Sequence, residues 1–163
     1  MDAIQAIKER HSVRKYQDWP IERATLENLV DCARLAATAI NIQPWEFVVV
    51  TERAKLSALA ALTDYGRFIT GAAACVVIIC SDTKYYLEDG SAATQNLLVA
   101  ATAMGLGSCW VAGDKKAYAG KILELIGAPA DFKLVSIVAL GYPAEDSRKN
   151  KRPLNEVLHW ESM

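Results

Sequence analysis

The sequence predicts a single α/β or α+β domain with helices on both faces of one sheet. Three observations carry that prediction. Segments of helical periodicity alternate with apolar runs of strand length. The run Ala74–Ser81 is apolar up to its last residue, as in a strand covered on both faces. The 163 residues suit one domain, and no repeat or low-complexity linker divides them.

In chain order, Asp2 can cap a short helix running to about Arg10. A second helix is expected over 22–39, where Leu26, Leu29, Val30, Ala33 and Ala37 form one stripe. A polar break from Asn41 to Pro44 precedes a strand, Trp45–Thr51, and residues 52–62 read as a short helix. Tyr65–Arg67 is a loop, and the buried strand 74–81 follows. The longest helix runs from about Tyr86 to Met104. Ala92, Ala93, Leu97, Leu98, Val99, Ala100, Ala101 and Ala103 make it apolar nearly all round, which suggests a central core helix. Gly105 and Gly107 end it. A strand at 108–111, a helix at about 115–126 and a strand at 133–141 complete the domain. Pro153 then opens a last polar-apolar segment ending near Trp160.

Net charge is −1, so nothing global attracts nucleic acid or an anionic membrane. The 52% apolar content is high enough to hint at a subunit interface. Cys32, Cys75, Cys80 and Cys109 show no metal spacing. Cys75 and Cys80 are five apart in a strand and should face opposite ways, as buried free thiols in a reducing cytoplasm would. No basic segment and apolar stretch open the chain, and 92–106 is too short and interrupted to span a bilayer. A soluble cytoplasmic protein is expected.

Charge is unevenly placed. Lys8, Arg10, Arg14 and Lys15 crowd one end, and Arg148, Lys149, Lys151 and Arg152 the other. Both could be solvated runs, or both ends could fold around one anion. In an extended Arg10-His11-Ser12-Val13-Arg14, alternate residues share a face, so two guanidiniums and a hydroxyl would point together, as a phosphate dianion requires. Alone, the pattern also fits an ordinary basic turn. Pro44 should force Gln43 into an extended conformation, letting Asn41 and Gln43 present amides on one side to a pyrimidine-like edge. Trp45 reads as core. Gly105-Leu106-Gly107 begins like a dinucleotide loop, but Trp110 replaces the third glycine and the segment follows a helix. The small residues Val111-Ala112-Gly113 would admit a planar ligand near the backbone. His11 and His159 are the only histidines, and no catalytic set emerges, so reactivity would come from a cofactor.

Taken in order, R-x-S-x-R, N-x-Q-P-W, the long helix with Gln95-Asn96, G-L-G-S-C-W, A-L-G-Y-P and the C-terminal K-R-P-L resemble the nitroreductase family of FMN-dependent oxidoreductases. The resemblance implies an α+β fold: a three-layer α/β/α sandwich on a mixed, mainly antiparallel sheet, in a domain-swapped homodimer. It implies FMN at the dimer interface, reduced by NAD(P)H and reoxidised by a nitroaromatic, quinone or flavin. By position, Arg10, His11, Ser12 and Arg14 would hold the phosphate and ribityl chain, joined by Lys151 and Arg152. Thr38, Ala39 and Asn41 would reach the other subunit's flavin, with Gln43 supporting the loop. The backbone at Val111, Ala112 and Gly113 would lie against the ring. No nucleic acid or membrane is implied. Two departures stand out: Ser81–Tyr85 leads straight into the long helix without a covering insertion, and Ala112 stands where relatives often carry an acid. A second reading keeps the FMN but makes the protein a non-catalytic carrier or sensor.

Overall fold

Strands β1 (Trp45–Val50), β2 (Ala74–Ser81), β3 (Gly107–Ala112) and β4 (Phe132–Gly141) form one sheet in the order β1-β2-β4-β3. The computed structural model describes residues 1–163. Every neighbouring strand pair is antiparallel, and the parallel component is a single bridge, Ser12 to Ser108, on the outer side of β3.

Five helices cover the sheet: α1 (Ala3–Glu9), α2 (Arg23–Arg34), α3 (Arg53–Leu62), α4 (Tyr86–Ala103) and α5 (Ala119–Leu125). Strand alternation divides the core. Ala74, Val76, Ile78 and Cys80 meet α2 and α4, while Cys75, Val77 and Ile79 meet α3 and α5. The result is the expected α/β/α sandwich, with α1 packed on α4. Leu29 and Leu97 on one side, and Leu56 and Leu59 on the other, are fully buried. Each contributes about 1.5–3 kcal/mol by leaving water. Trp45 is core, and Cys75 and Cys80 lie on opposite faces.

The β2–β4 register slips between Ile78 and Ile79, where β4 carries one extra residue. Val135 and Ser136 consequently both turn toward α4. Ser136 Oγ lies 2.8 Å from Thr94 Oγ1, satisfying two buried hydroxyls at once. Val135 meets α4 at Gly90, where a Cβ would stand 2.6 Å from Val135 Cγ2. The bulge therefore requires glycine at that helix position.

Three expectations need correction. Helix α2 stops at Arg34 instead of reaching 39, because the Ala39 N–H and the Thr38 hydroxyl are taken by Asp89 of α4. Gln43 is not extended: its φ is +53°, so it does not form an alternating pair with Asn41. Helix α4 is one-sided within the chain. Asp89, Ala93, Leu97 and Ala101 are buried, whereas Gln95 and Asn96 are exposed and Val99, Ala100 and Ala103 half-covered. Residues 148–163 lie entirely on the outside, with one 3₁₀ turn at Leu154–Glu156. No helix is long and apolar enough to cross a membrane.

Candidate functional site

The two chain ends meet beside β3. Val13 is buried and its N–H donates to the Ser108 carbonyl at 2.9 Å, which plants the N-terminal segment along the sheet edge. The returning C-terminal segment is stitched to it: the Gln17 N–H donates to the Tyr142 carbonyl at 2.9 Å, and the Ala144 N–H to the Lys15 carbonyl at 3.0 Å. Ser147 Oγ donates to the Ser12 carbonyl at 2.9 Å.

Between these ends lies a cavity of about 410 Å³ with no hydrophobic lining residue. Lys8, Arg10, His11, Ser12 and Arg14 line it from one end; Ser147, Arg148, Lys149, Asn150 and Lys151 line it from the other. Six cations thus face one space against one acid, Glu9. Arg148 pairs with Asp146 at 3.2 Å, but Lys8, Arg10, Arg14, Lys149 and Lys151 make no ion pair within the chain. Lys15 turns away and donates to Glu145 at 2.8 Å. Arg152 is not brought in either: its guanidinium is engaged by the Glu156 carboxylate at 3.2 Å and the Glu156 carbonyl at 2.8 Å.

His11 is held by its Nδ1, 2.9 Å from the Glu9 carbonyl. A carbonyl only accepts, so Nδ1 carries the proton and Nε2 turns elsewhere. His11 Nε2 is buried without a hydrogen-bond partner, as is Ser108 Oγ below it on β3. The cationic field reaches the buried Cys109 thiol as well. Burial raises its pKa, and Arg14, a Ser12 hydrogen bond and Arg10 pull it back. Sequence reasoning passed over Ser147 and Asn150, which carry no charge to mark them.

Strand β3 leads away from this cradle. Ser108 and Ala112 are four residues apart, about 13 Å along a strand. At the far end Val111 is buried, Ala112 is exposed, and the Ala112 carbonyl accepts from Tyr118 Oη. The small size of Gly113 serves packing: a Cβ there would sit 2.7 Å from Leu134 Cγ. Beyond it, Tyr86 Oη donates to Asp114 at 2.6 Å, which helps push the phenol up to about 12. Only four residues separate β2 from α4, so no insertion covers this end.

The segment with Thr38, Ala39, Asn41 and Gln43 lies elsewhere. It precedes β1, the opposite edge of the sheet from β3, three strand spacings or about 14 Å away. Thr38 is tied to Asp89, whereas His11 sits near Thr102. Thirteen residues of α4, about 20 Å, separate those two anchors. One chain does not gather both groups around one ligand. No group of three or more His, Cys, Asp or Glu side chains stands ready to hold a metal ion.

The Nitroreductase family model matches residues 7–65 and 62–142. The chain belongs to the nitroreductase family. An Archaeoglobus fulgidus protein, named as a candidate NADH dehydrogenase/NAD(P)H nitroreductase, is 35% identical over 89% of this chain and 87% of its own length. Among solved structures, an FMN-dependent nitroreductase from Clostridium difficile superposes with a TM-score of 0.92 at 28% identity, covering 98% of this chain and 99% of the other. A Desulfovibrio desulfuricans protein, described as a nitroreductase in complex with FMN, gives 0.88 at 28% identity over 100% and 98% of the two chains. These nitroreductase-fold neighbours are as short as this chain, so the compact form without an insertion is shared.

Proposed function

We propose that this nitroreductase-family chain binds FMN and passes electrons from NAD(P)H to a small acceptor such as a nitroaromatic, quinone or flavin, working as a homodimer. The cradle between the chain ends carries this reading. Five cations without an ion-pair partner around one cavity repel one another unless an anion joins them. A phosphate dianion suits the donors present: two guanidinium forks from Arg10 and Arg14, the Ser12 hydroxyl and the Lys151 ammonium, with His11 lining the same cavity. Lys151, and not Arg152, supplies the C-terminal share.

FMN, when bound, would supply the two-electron redox chemistry between a reduced nicotinamide and the acceptor. The chain's part is to bind and orient. Arg10, Ser12, Arg14 and Lys151 would hold the phosphate, and the backbone at Val111, Ala112 and Gly113 would take the ring. The uncovered end beyond Ala112 leaves room for nicotinamide and acceptor to use one face in turn.

A second copy completes the site. The separation of Asn41 from the cradle supports a reading in which Thr38, Ala39, Asn41 and Gln43 serve the flavin of the other subunit. An exposed arm with Leu154 70% and Trp160 79% accessible has no body of its own to pack on. The half-covered face of α4, with Ile4 and Ile7 of α1 beside it, offers a second apolar surface.

The deciding experiment is the absorbance spectrum of the purified protein before and after anaerobic NADH and NADPH. A flavin spectrum bleached by either nucleotide and restored by a quinone is expected, with a solution mass near twice 17.8 kDa. Protein that is colourless and takes up no FMN overturns the reading.

A further inference from the structure

We propose that Asp89 is a positioning residue of this site: its carboxylate sets the shape of loop 38–43, and so the reach of Asn41 toward the flavin held by the second copy. The proposal rests on the FMN-binding homodimer reading, and its test separates the two.

Asp89 lies in the first turn of α4 and is only 5% exposed, with no cationic partner. A buried carboxylate is costly unless its oxygens are satisfied. Both are satisfied by one loop. Oδ2 accepts from the Thr38 hydroxyl at 2.8 Å, and Oδ1 accepts from the Ala39 N–H at 3.0 Å. Thr38 Oγ1 then accepts from the Gln43 N–H at 3.1 Å. A single side chain on a rigid helix thereby fixes both ends of the loop, directly at 38–39 and through Thr38 at 43. The dipole at the start of α4 favours a negative charge at this place.

The loop needs such a fixture. Ile40, Asn41 and Gln43 have φ of 45°, 59° and 53°, all left-handed. A β-branched residue rarely adopts that conformation, so the backbone does not choose it unaided. Nor does packing impose it, because Ile40 is 92% exposed. The Asn41 side-chain amide forms no hydrogen bond within the chain, and the residue is exposed on the strained turn. If only a filled core were needed below the loop, an apolar side chain would serve at less cost.

The test compares full-length Asp89→Ala, Asp89→Asn, Thr38→Val and Thr38→Ser with wild type. It measures the FMN dissociation constant by fluorescence quenching on titrating apoprotein, and kcat and KM for NADH with a quinone. Asp89→Ala and Thr38→Val should weaken FMN binding about tenfold, the loss of one good hydrogen bond's worth of fixation. Asp89→Asn should fall between, since an amide keeps one acceptor. Thr38→Ser should recover most of the affinity that Thr38→Val loses, because it keeps the hydroxyl that bonds Asp89 and the Gln43 N–H. Leu97→Ala, a buried truncation elsewhere on α4, serves as the control: it should lower the melting temperature without moving the dissociation constant. If Asp89→Ala does not fold, the half-exposed Thr38 pair decides. Equal FMN affinity of Thr38→Val, Thr38→Ser and wild type overturns the proposal, as does a Leu97→Ala shift as large as that of Asp89→Ala. Wild-type protein that binds no FMN removes the functional reading itself.

Discussion

The basic cradle and the 38–43 loop are built on opposite physical plans. The cradle gathers like charges from two chain ends, holds them with backbone hydrogen bonds, and leaves five of its six cations without counter-ions. The loop gathers almost no charge. It holds a strained backbone with one buried carboxylate and satisfies that carboxylate completely. Like charges stay unneutralised in the cradle, whereas the one charge under the loop has both its oxygens hydrogen-bonded. We read the first as a binder and the second as a template, which a second subunit uses.

The largest expected effect follows from removing half of the cradle. A chain ending at Ser147 loses Arg148, Lys149 and Lys151 together with the apolar arm. Charge-assisted contacts are each worth about 1.5–3 kcal/mol, so FMN affinity should fall by at least about 100-fold. Sedimentation should also give a mass near 17.8 kDa instead of twice that value. Retention of a dimer would show that the α1–α4 face suffices for assembly.

A finer cut separates neighbours within the cradle. Arg14→Ala should weaken FMN binding about 10- to 100-fold, measured by fluorescence titration, since it removes one charge-assisted fork. Lys15→Ala should leave the constant unchanged within about twofold, because an exposed pair with Glu145 adds little to a cavity it does not face. On the loop side, Gly90→Ala should act on stability. Its Cβ would stand 2.6 Å from Val135 Cγ2, and overpacking of this kind costs about 1–3 kcal/mol, readable as a lowered denaturant midpoint.

The smallest effect compares two thiols. Burial first, then the Asp89 charge, pushes the Cys80 thiol up to about 12; at Cys109, Arg14, a Ser12 hydrogen bond and Arg10 oppose the rise. In a Cys32→Ser background, Cys109 should therefore be alkylated before Cys80 as pH rises, and FMN should slow it. Burial also lifts Cys75 to about 12. Thiols raised in the folded state keep protons that the unfolded chain releases. Their contribution to stability is thus complete below pH 9 and is lost as pH climbs toward 12. Denaturant titrations at pH 8, 9 and 10 should show that decline begin.

Local pattern made much of the fold legible. The continuous run 74–81 and the periodic stripes marked the elements, and alternation placed Cys75 and Cys80 on opposite faces. The cradle was legible as two clusters of charge, because cations announce themselves wherever they stand. The loop was not. Pro44 suggested an extended Gln43, yet its φ is +53° and its N–H donates to the Thr38 hydroxyl, which is itself anchored on Asp89 fifty-one residues away. Asp89 itself looks like any acid in a first helical turn. Arg152 failed differently: its sequence position fits the cradle, but Glu156 four residues on captures it.

The sequence by itself determined the family, the layer architecture and the presence of two basic ends, because composition and short-period pattern are local properties. Tertiary structure decided that both ends close on one cavity, that α4 leaves a face uncovered, and that Asp89 governs the loop. The cavity and the loop depend on contacts between residues from 50 to 135 positions apart, which no local pattern encodes. The same distance argument makes the second subunit part of the proposed site, since about 20 Å of α4 keeps Asn41 from the cradle of its own chain.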